Sequence, residues 1–137
     1  GSHYMDLFGS QEKYIRKYRN QAAFITSKLE ILVDEMLAAS DGKAVIILQA
    51  DHGPGSQFNH YSLEKTNLHE RMSILNAIYV PKKYKPEFYE DMTPVNTFRI
   101  IFNAIFDAAF EILPDMVYYS GSDSPFEQVD VTTKVSQ

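Results

Sequence analysis

Asp51 and His52 are the residues whose types and placement could do chemistry. They follow, after Ala50, the strand-like run Ala44-Val45-Ile46-Ile47-Leu48-Gln49 and lead directly into Gly53-Pro54-Gly55. Asp offers a hard oxygen and His an imidazole nitrogen, a usual combination for zinc or manganese. In open α/β sheets, ligands bind outside the carboxyl ends of strands, where loops converge. The glycines let the backbone turn away without crowding a bound group. The bland alternative is a loop in which Asp51 accepts backbone hydrogen bonds and His52 packs or faces solvent. Two residues alone do not decide between them. His60 and His69 could complete a site, but a lone loop histidine is more often solvated or hydrogen-bonded than metal-bound. Arg99 could pair with an anionic substrate group. It shares a polar strip with Asn96 and Asn103, however, and such strips are normal on amphipathic helices, so a solvated or hydrogen-bonded face is the preferred reading.

These residues need elements to hold them. Tyr18, Ala22, Ile25, Leu29, Leu32 and Met36 recur at spacings of three and four, which predicts a helix over 11–39 with one apolar stripe. Ser40-Asp41-Gly42 ends it, because glycine tolerates the left-handed conformation of a helix C-terminus. The β-branched run at 44–49 has no polar interruption and predicts a strand buried on both faces, as in a parallel sheet between helices. One helical turn is expected near 64–70, and residues 72–80 read as a second strand closed by Pro81. Thr93 as N-cap and Pro94 at the first helical position open another helix. Its apolar positions run Val95, Phe98, Phe102, Ile105, Ala109 and Ile112, and Pro114 stops it. The Tyr and Phe residues of both helices are expected in the core. A short strand is expected at 116–119, then a turn at 121–125. The alternation Val129, Val131, Thr133, Val135 suggests an edge strand or extended tail.

Composition sets the outer bounds. The chain has 137 residues, enough for one domain, and 45% of them are hydrophobic, so a packed core is expected. Nine Tyr and nine Phe without Trp make that core aromatic-rich. The formal net charge is −5 and no basic stripe is visible, which argues against nucleic acid as a partner. The short basic cluster Lys82-Lys83-Tyr84-Lys85 is balanced by Glu87, Glu90 and Asp91 and reads as a solvated loop. The absence of Cys excludes a disulfide framework, a thiolate nucleophile and any Cys-based zinc site. No apolar run approaches the roughly 20 residues of a membrane span. Gly1-Ser2-His3 resembles the scar of a cleaved affinity tag. Residues 1–9 are therefore read as a tag remnant and flexible start, 10–120 as the domain portion, and 121–137 as the edge strand or tail.

A family resemblance adds to this reading. The stretch Val45-Ile46-Ile47-Leu48-Gln49-Ala50-Asp51-His52-Gly53 resembles the strand and Ser-Asp-His-Gly motif of sulfatases and their lipoteichoic-acid-synthase-like relatives in the alkaline phosphatase superfamily. Three more blocks follow in order: 70–81, ending in Ile78-Tyr79-Val80-Pro81; then Thr93-Pro94-Val95-Asn96-Thr97-Phe98-Arg99; then Leu113-Pro114-Asp115 with Tyr118-Tyr119-Ser120. The similarity spans residues 14–120. Ala50 departs from it, standing where Ser is usual, which removes a hydroxyl near the motif.

The resemblance implies the C-terminal portion of an alkaline-phosphatase-type α/β fold, a partial sheet flanked by helices. It implies that Asp51 and His52 bind a divalent metal in an intact parent, manganese or zinc, with calcium or magnesium as alternatives. It places the other ligands and the Thr, Ser or formylglycine nucleophile upstream of the motif, and assigns no role to His60 or His69. A catalytic metal generally needs three or more protein ligands, so the chain alone is expected to be inactive and its metal site empty. The implied parent acts on sulfate or phosphate esters and is membrane-anchored with an extracytoplasmic catalytic domain, the fragment itself being soluble. The contrasting expectation is a non-catalytic α/β association module. A piece cut from a larger sheet exposes an edge and apolar surface, which favours a homodimer or pairing with the rest of the parent chain.

Overall fold

The structure is a computed structural model that describes residues 9–135. Helix α1 spans Gln11–Ala39 as the sequence pattern predicts. The Ser10 hydroxyl accepts from the Lys13 amide (3.2 Å) at its start. At its end, Asp41 and Gly42 turn left-handed (φ 52° and 65°) and the Gly42 amide reaches back to the Leu37 carbonyl at 2.8 Å. No residue of α1 is buried: Tyr18, Ile25, Leu32 and Met36 all stand at least 41% exposed. The expectation that the Tyr and Phe side chains of the helices form the core is thus corrected. Periodicity puts residues on one face but does not supply a surface to cover it.

The described chain divides into two units. One comprises residues 32–49 and 76–116. Its sheet pairs β1 (Ile46–Gln49) with β2 (Asn76–Tyr79), Ile46 opposite Tyr79 and Gln49 opposite Asn76. The pairing is antiparallel, which corrects the expected parallel sheet. A continuous apolar run specifies burial but not the direction of its partner, and of the β1 residues only Ile46 is buried. After a 3₁₀ turn at Lys82–Tyr84, helix α3 runs over Pro94–Phe106, with Thr93 at its N-cap and Pro94 in its first turn. Its inner face is Asn96, Thr97, Ile100 and Ile101, whereas Phe98 and Phe102 are exposed and stack along the outer face with Phe106 and Phe110. The helix stops well before Pro114, at Asp107 in the left-handed region (φ 53°).

The other unit comprises residues 9–31, 50–75 and 117–135. Helix α2 (Leu68–Met72) overlaps the helical turn expected near 64–70 and meets the predicted second strand only at Met72. Asn67 caps it by accepting from the Glu70 amide at 3.0 Å. Strands β3 (Tyr118–Gly121) and β4 (Ser124–Asp130) form a bulged antiparallel hairpin. The expected edge strand or tail is thus one hairpin arm followed by a short helix, α4 (Thr132–Val135). Val131, fully buried, closes the hairpin through its amide to the Val117 carbonyl (2.9 Å). The Tyr119 hydroxyl donates to the Asn59 carbonyl (2.9 Å), and the Ser122 amide donates to the His60 carbonyl (2.7 Å). These bonds fasten the hairpin to the loop that follows Asp51-His52. The architecture is therefore a mixture of helices and small antiparallel sheets.

Candidate functional site

The segment that carries Asp51 and His52 leaves the β1 register through one more ladder bond, from the Ala50 amide to the Leu75 carbonyl at 2.9 Å. Gly53 then meets α2. Its amide donates to the Arg71 carbonyl (2.7 Å), and a side-chain carbon on it would stand 2.1 Å from the Glu70 carbonyl oxygen and 2.5 Å from that of Ser73. Only glycine fits there. Its role is close backbone packing against α2, a different reason from the room for a bound group that its position suggested. Gly55 has ordinary space around it and donates its amide to the Tyr14 hydroxyl at 2.9 Å.

With Gly53 pinned, Asp51 and His52 project outward. The Asp51 side chain is 87% exposed and the His52 side chain 50%, with Oδ2 and Nε2 3.5 Å apart. The other ring nitrogen of His52, Nδ1, lies 2.7 Å from Nη1 of Arg71 and 2.9 Å from the Gly53 carbonyl oxygen. A guanidinium can only donate, so Nδ1 accepts from Arg71. In that tautomer the ring N–H is on Nε2, facing Asp51; in the other, Nδ1–H donates to the Gly53 carbonyl and the lone pair is on Nε2. Arg71 is itself held: the same nitrogen donates to the Gly53 carbonyl (3.2 Å), and the guanidinium lies over the Phe58 ring at 4.4 Å.

The pair fits part of a metal site. Two ligand atoms on a tetrahedral zinc with bonds of about 2.1 Å are about 3.4 Å apart, close to the separation seen here. Among the described residues, no group of three or more His, Asp or Glu side chains is placed to hold a metal ion. His69 is exposed on α2, and His60 packs edge-on to Phe58 at 4.6 Å. His52 and His60 do line one small cavity of about 80 Å³, with Tyr14, Gly55, Phe58 and Arg71. A larger open cleft of about 410 Å³, bordered by Lys85, Tyr89, Asn103 and Ile112, includes neither Asp51 nor His52.

Arg99 belongs to a different arrangement. The polar strip of α3 binds the returning segment rung by rung. Asn103 exchanges two bonds with the Phe110 backbone (2.8 and 2.6 Å), Arg99 donates to the Glu111 carbonyl (2.9 Å), and Asn96 exchanges two with Leu113 (2.8 and 3.0 Å). At its end Asp115 accepts from the Thr93 amide (2.7 Å), the Thr93 hydroxyl (2.6 Å), the Tyr89 hydroxyl (2.5 Å) and the Asn96 amide (3.2 Å). Burial alone would raise the Asp115 carboxyl, but the bonds from Thr93, Tyr89 and Asn96 outweigh it and hold it below the ordinary carboxylate value. The Tyr89 phenol is raised, first by its bond to Asp115 and then by burial. The strip is thus a hydrogen-bonded face, as preferred on sequence grounds, and Arg99 spends one guanidinium N–H on backbone.

Arg71 is the functional candidate that residue-type reasoning missed. It stands in the quoted block 70–81, but no spacing rule ties it to His52, nineteen positions away in the chain. Comparison with family models, curated proteins and solved structures gives no match for the chain.

Proposed function

We propose that this chain is the C-terminal portion of a metal-dependent, sulfatase-like hydrolase or phosphotransferase acting on sulfate or phosphate esters, with Asp51 and His52 as two of its metal ligands. The observation that carries the reading is the exposed Asp51–His52 pair, held 3.5 Å apart by a glycine that nothing larger could replace. Contacts between the blocks of the resemblance add support: Gly53 seats on the carbonyls of Glu70, Arg71 and Ser73, and Asn96 bonds Leu113 and Asp115. The bound metal supplies activation of the nucleophile and stabilises charge on the transferring oxygens. Asp51 contributes a carboxylate oxygen, and His52 its Nε2 once the ring proton sits on Nδ1 and is donated to the Gly53 carbonyl, a change of tautomer that displaces the Arg71 donor from that nitrogen. The nucleophile and remaining ligands come from the upstream part of the parent, which is membrane-anchored with its catalytic domain outside the cytoplasm. Within the described residues no helix is long and apolar enough to cross a membrane.

Calorimetric titration with zinc or manganese tests the pair. Weak, saturable binding to the wild-type chain, lost in Asp51→Asn and in His52→Ala, supports the reading; equal binding by all three proteins overturns it. Hydrolysis of nitrophenyl phosphate or nitrophenyl sulfate by the chain alone, abolished by Asp51→Ala, would contradict the assignment of the nucleophile to upstream sequence.

The second reading, a non-catalytic module that self-pairs, is favoured by a specific observation. The α1 stripe is uncovered, and Phe126 on β4 is 96% exposed. The two readings are compatible, because a portion of a larger domain exposes surface that its parent covers.

A further inference from the structure

We infer that Arg71 and the cavity beside His52 form a subsite for a tetrahedral oxyanion, the phosphoryl or sulfuryl group of an ester. The inference deepens the reading above and rests on it for the class of substrate. Asp51 is not among the residues that line the cavity.

Arg71 is fixed in two directions. The Phe58 ring supports the face of the guanidinium at 4.4 Å, and Nη1 is tied to His52 Nδ1 and the Gly53 carbonyl. Such a side chain gives up little further freedom when it binds, so each new hydrogen bond costs less entropy than on a mobile side chain. The N–H groups on Nη2 and Nε make no hydrogen bond among the described residues. The ion pairs found there, Lys43–Asp41 and His52–Asp51, do not include Arg71. Glu70, its neighbour in sequence, is turned the other way to accept from the Gln57 amide at 3.1 Å. A fixed cation without a carboxylate partner among the described residues, with donors left over, is what a planar fork for an oxyanion requires.

The cavity selects for size. Among the described residues, Arg71, His52, His60 and Tyr14 bring polar groups to it, Phe58 and Gly55 line the rest, and no carboxylate does. Its volume of about 80 Å³ exceeds the roughly 10–15 Å³ that one enclosed water needs on the same measure. It falls well below the roughly 300–1,000 Å³ of clefts that enclose whole small molecules. It therefore takes a group the size of a phosphoryl or sulfuryl and leaves the rest of an ester outside.

The test is a titration of the metal-free full chain with inorganic phosphate, and separately with sulfate, at constant ionic strength set by chloride. Backbone amide and arginine Nε–H resonances report the site. Saturable shifts centred on Arg71, His52, Gly55 and Phe58 are expected, with affinity at least tenfold weaker in Arg71→Gln. Arg71→Lys keeps the charge without the fork and is expected to fall between the two, which holds the test open if the Gln variant fails to fold. Asp51→Asn should lose metal binding, and phosphate should still shift the Arg71 and Phe58 resonances of that variant. A preference for one anion supports the site and says which ester supplies the group. Shifts that chloride reproduces, equal affinity in Arg71→Gln, or anion binding that requires a loaded metal would each overturn the subsite. The metal reading survives any of these results, and loss of metal binding in Asp51→Asn tests it separately.

Discussion

Gly53 decides more than its neighbours of like type. A methyl group there would meet two carbonyl oxygens of the α2 segment inside 2.6 Å, whereas on Gly55 it would find contacts at 3.6 Å and beyond. Gly53→Ala is therefore expected to cost about 1–3 kcal/mol through overpacking, and Gly55→Ala well under 1 kcal/mol; urea unfolding of the two variants checks the contrast. Asp115 makes a second prediction at this scale. Its folded value is depressed, so the unfolded chain takes up this proton at higher pH. Its stabilisation is complete above the ordinary value of 3.8 and fades as pH falls through the lower folded value. Asp115→Asn should lose about 1–3 kcal/mol at neutral pH, and the gap from wild type should close in acid below that value. Tyr89 has the opposite sign. Its phenol is raised, so what it contributes is complete below its ordinary value of 10.0 and fades as pH rises through the folded one. The place of Asp51 and His52 just past a strand end was legible because an abrupt apolar-to-polar switch marks it. Arg71 was not, because its partners His52, Gly53 and Phe58 come from another loop and only folding brings them together.

At the scale of elements, stop signals were the readable part. Helix α1 ends where Asp41-Gly42 permits a left-handed turn, and its span needed no tertiary information. Helix α3 had a clear start and a concealed end. Its apolar repeat continues to Ile112, but the Asn103 side chain captures the Phe110 backbone, an alternative to helical bonds that a hydrophobic pattern does not register. Asp107 sits at the resulting C-terminus with φ 53°. Asp107→Gly should be neutral or stabilise by up to about 1 kcal/mol, since glycine carries no steric penalty there. Asn103→Ala should destabilise by about 1–3 kcal/mol by leaving Phe110 backbone groups unpaired. Thermal melts of both variants give the signs directly. The direction of β1–β2 pairing was illegible for a related reason: a run such as Val45-Ile46-Ile47-Leu48 reports burial, and strand direction is fixed by the path of the chain between the strands.

At the scale of the molecule, the sequence pattern gave the mixed helix-and-strand class, and it overstated how much apolar surface the chain covers for itself. Ile15, Tyr18, Ile25, Leu32 and Met36 on α1 and Phe98, Phe102 and Phe106 on α3 remain open. A monomer with this much exposed apolar surface is expected to self-associate. Sedimentation equilibrium should find a dimer whose dissociation constant rises when Ile25 and Leu32 are changed to Gln; a monomer at high concentration would count against the association reading. The proposed role of Asp51 and His52 as metal ligands has its own test. Paramagnetic broadening of backbone amides by substoichiometric manganese tests it most directly. The account predicts broadening centred on Asp51, His52 and Gly53 that disappears in Asp51→Asn. Broadening that leaves these amides sharp, or that persists unchanged in the variant, would contradict it.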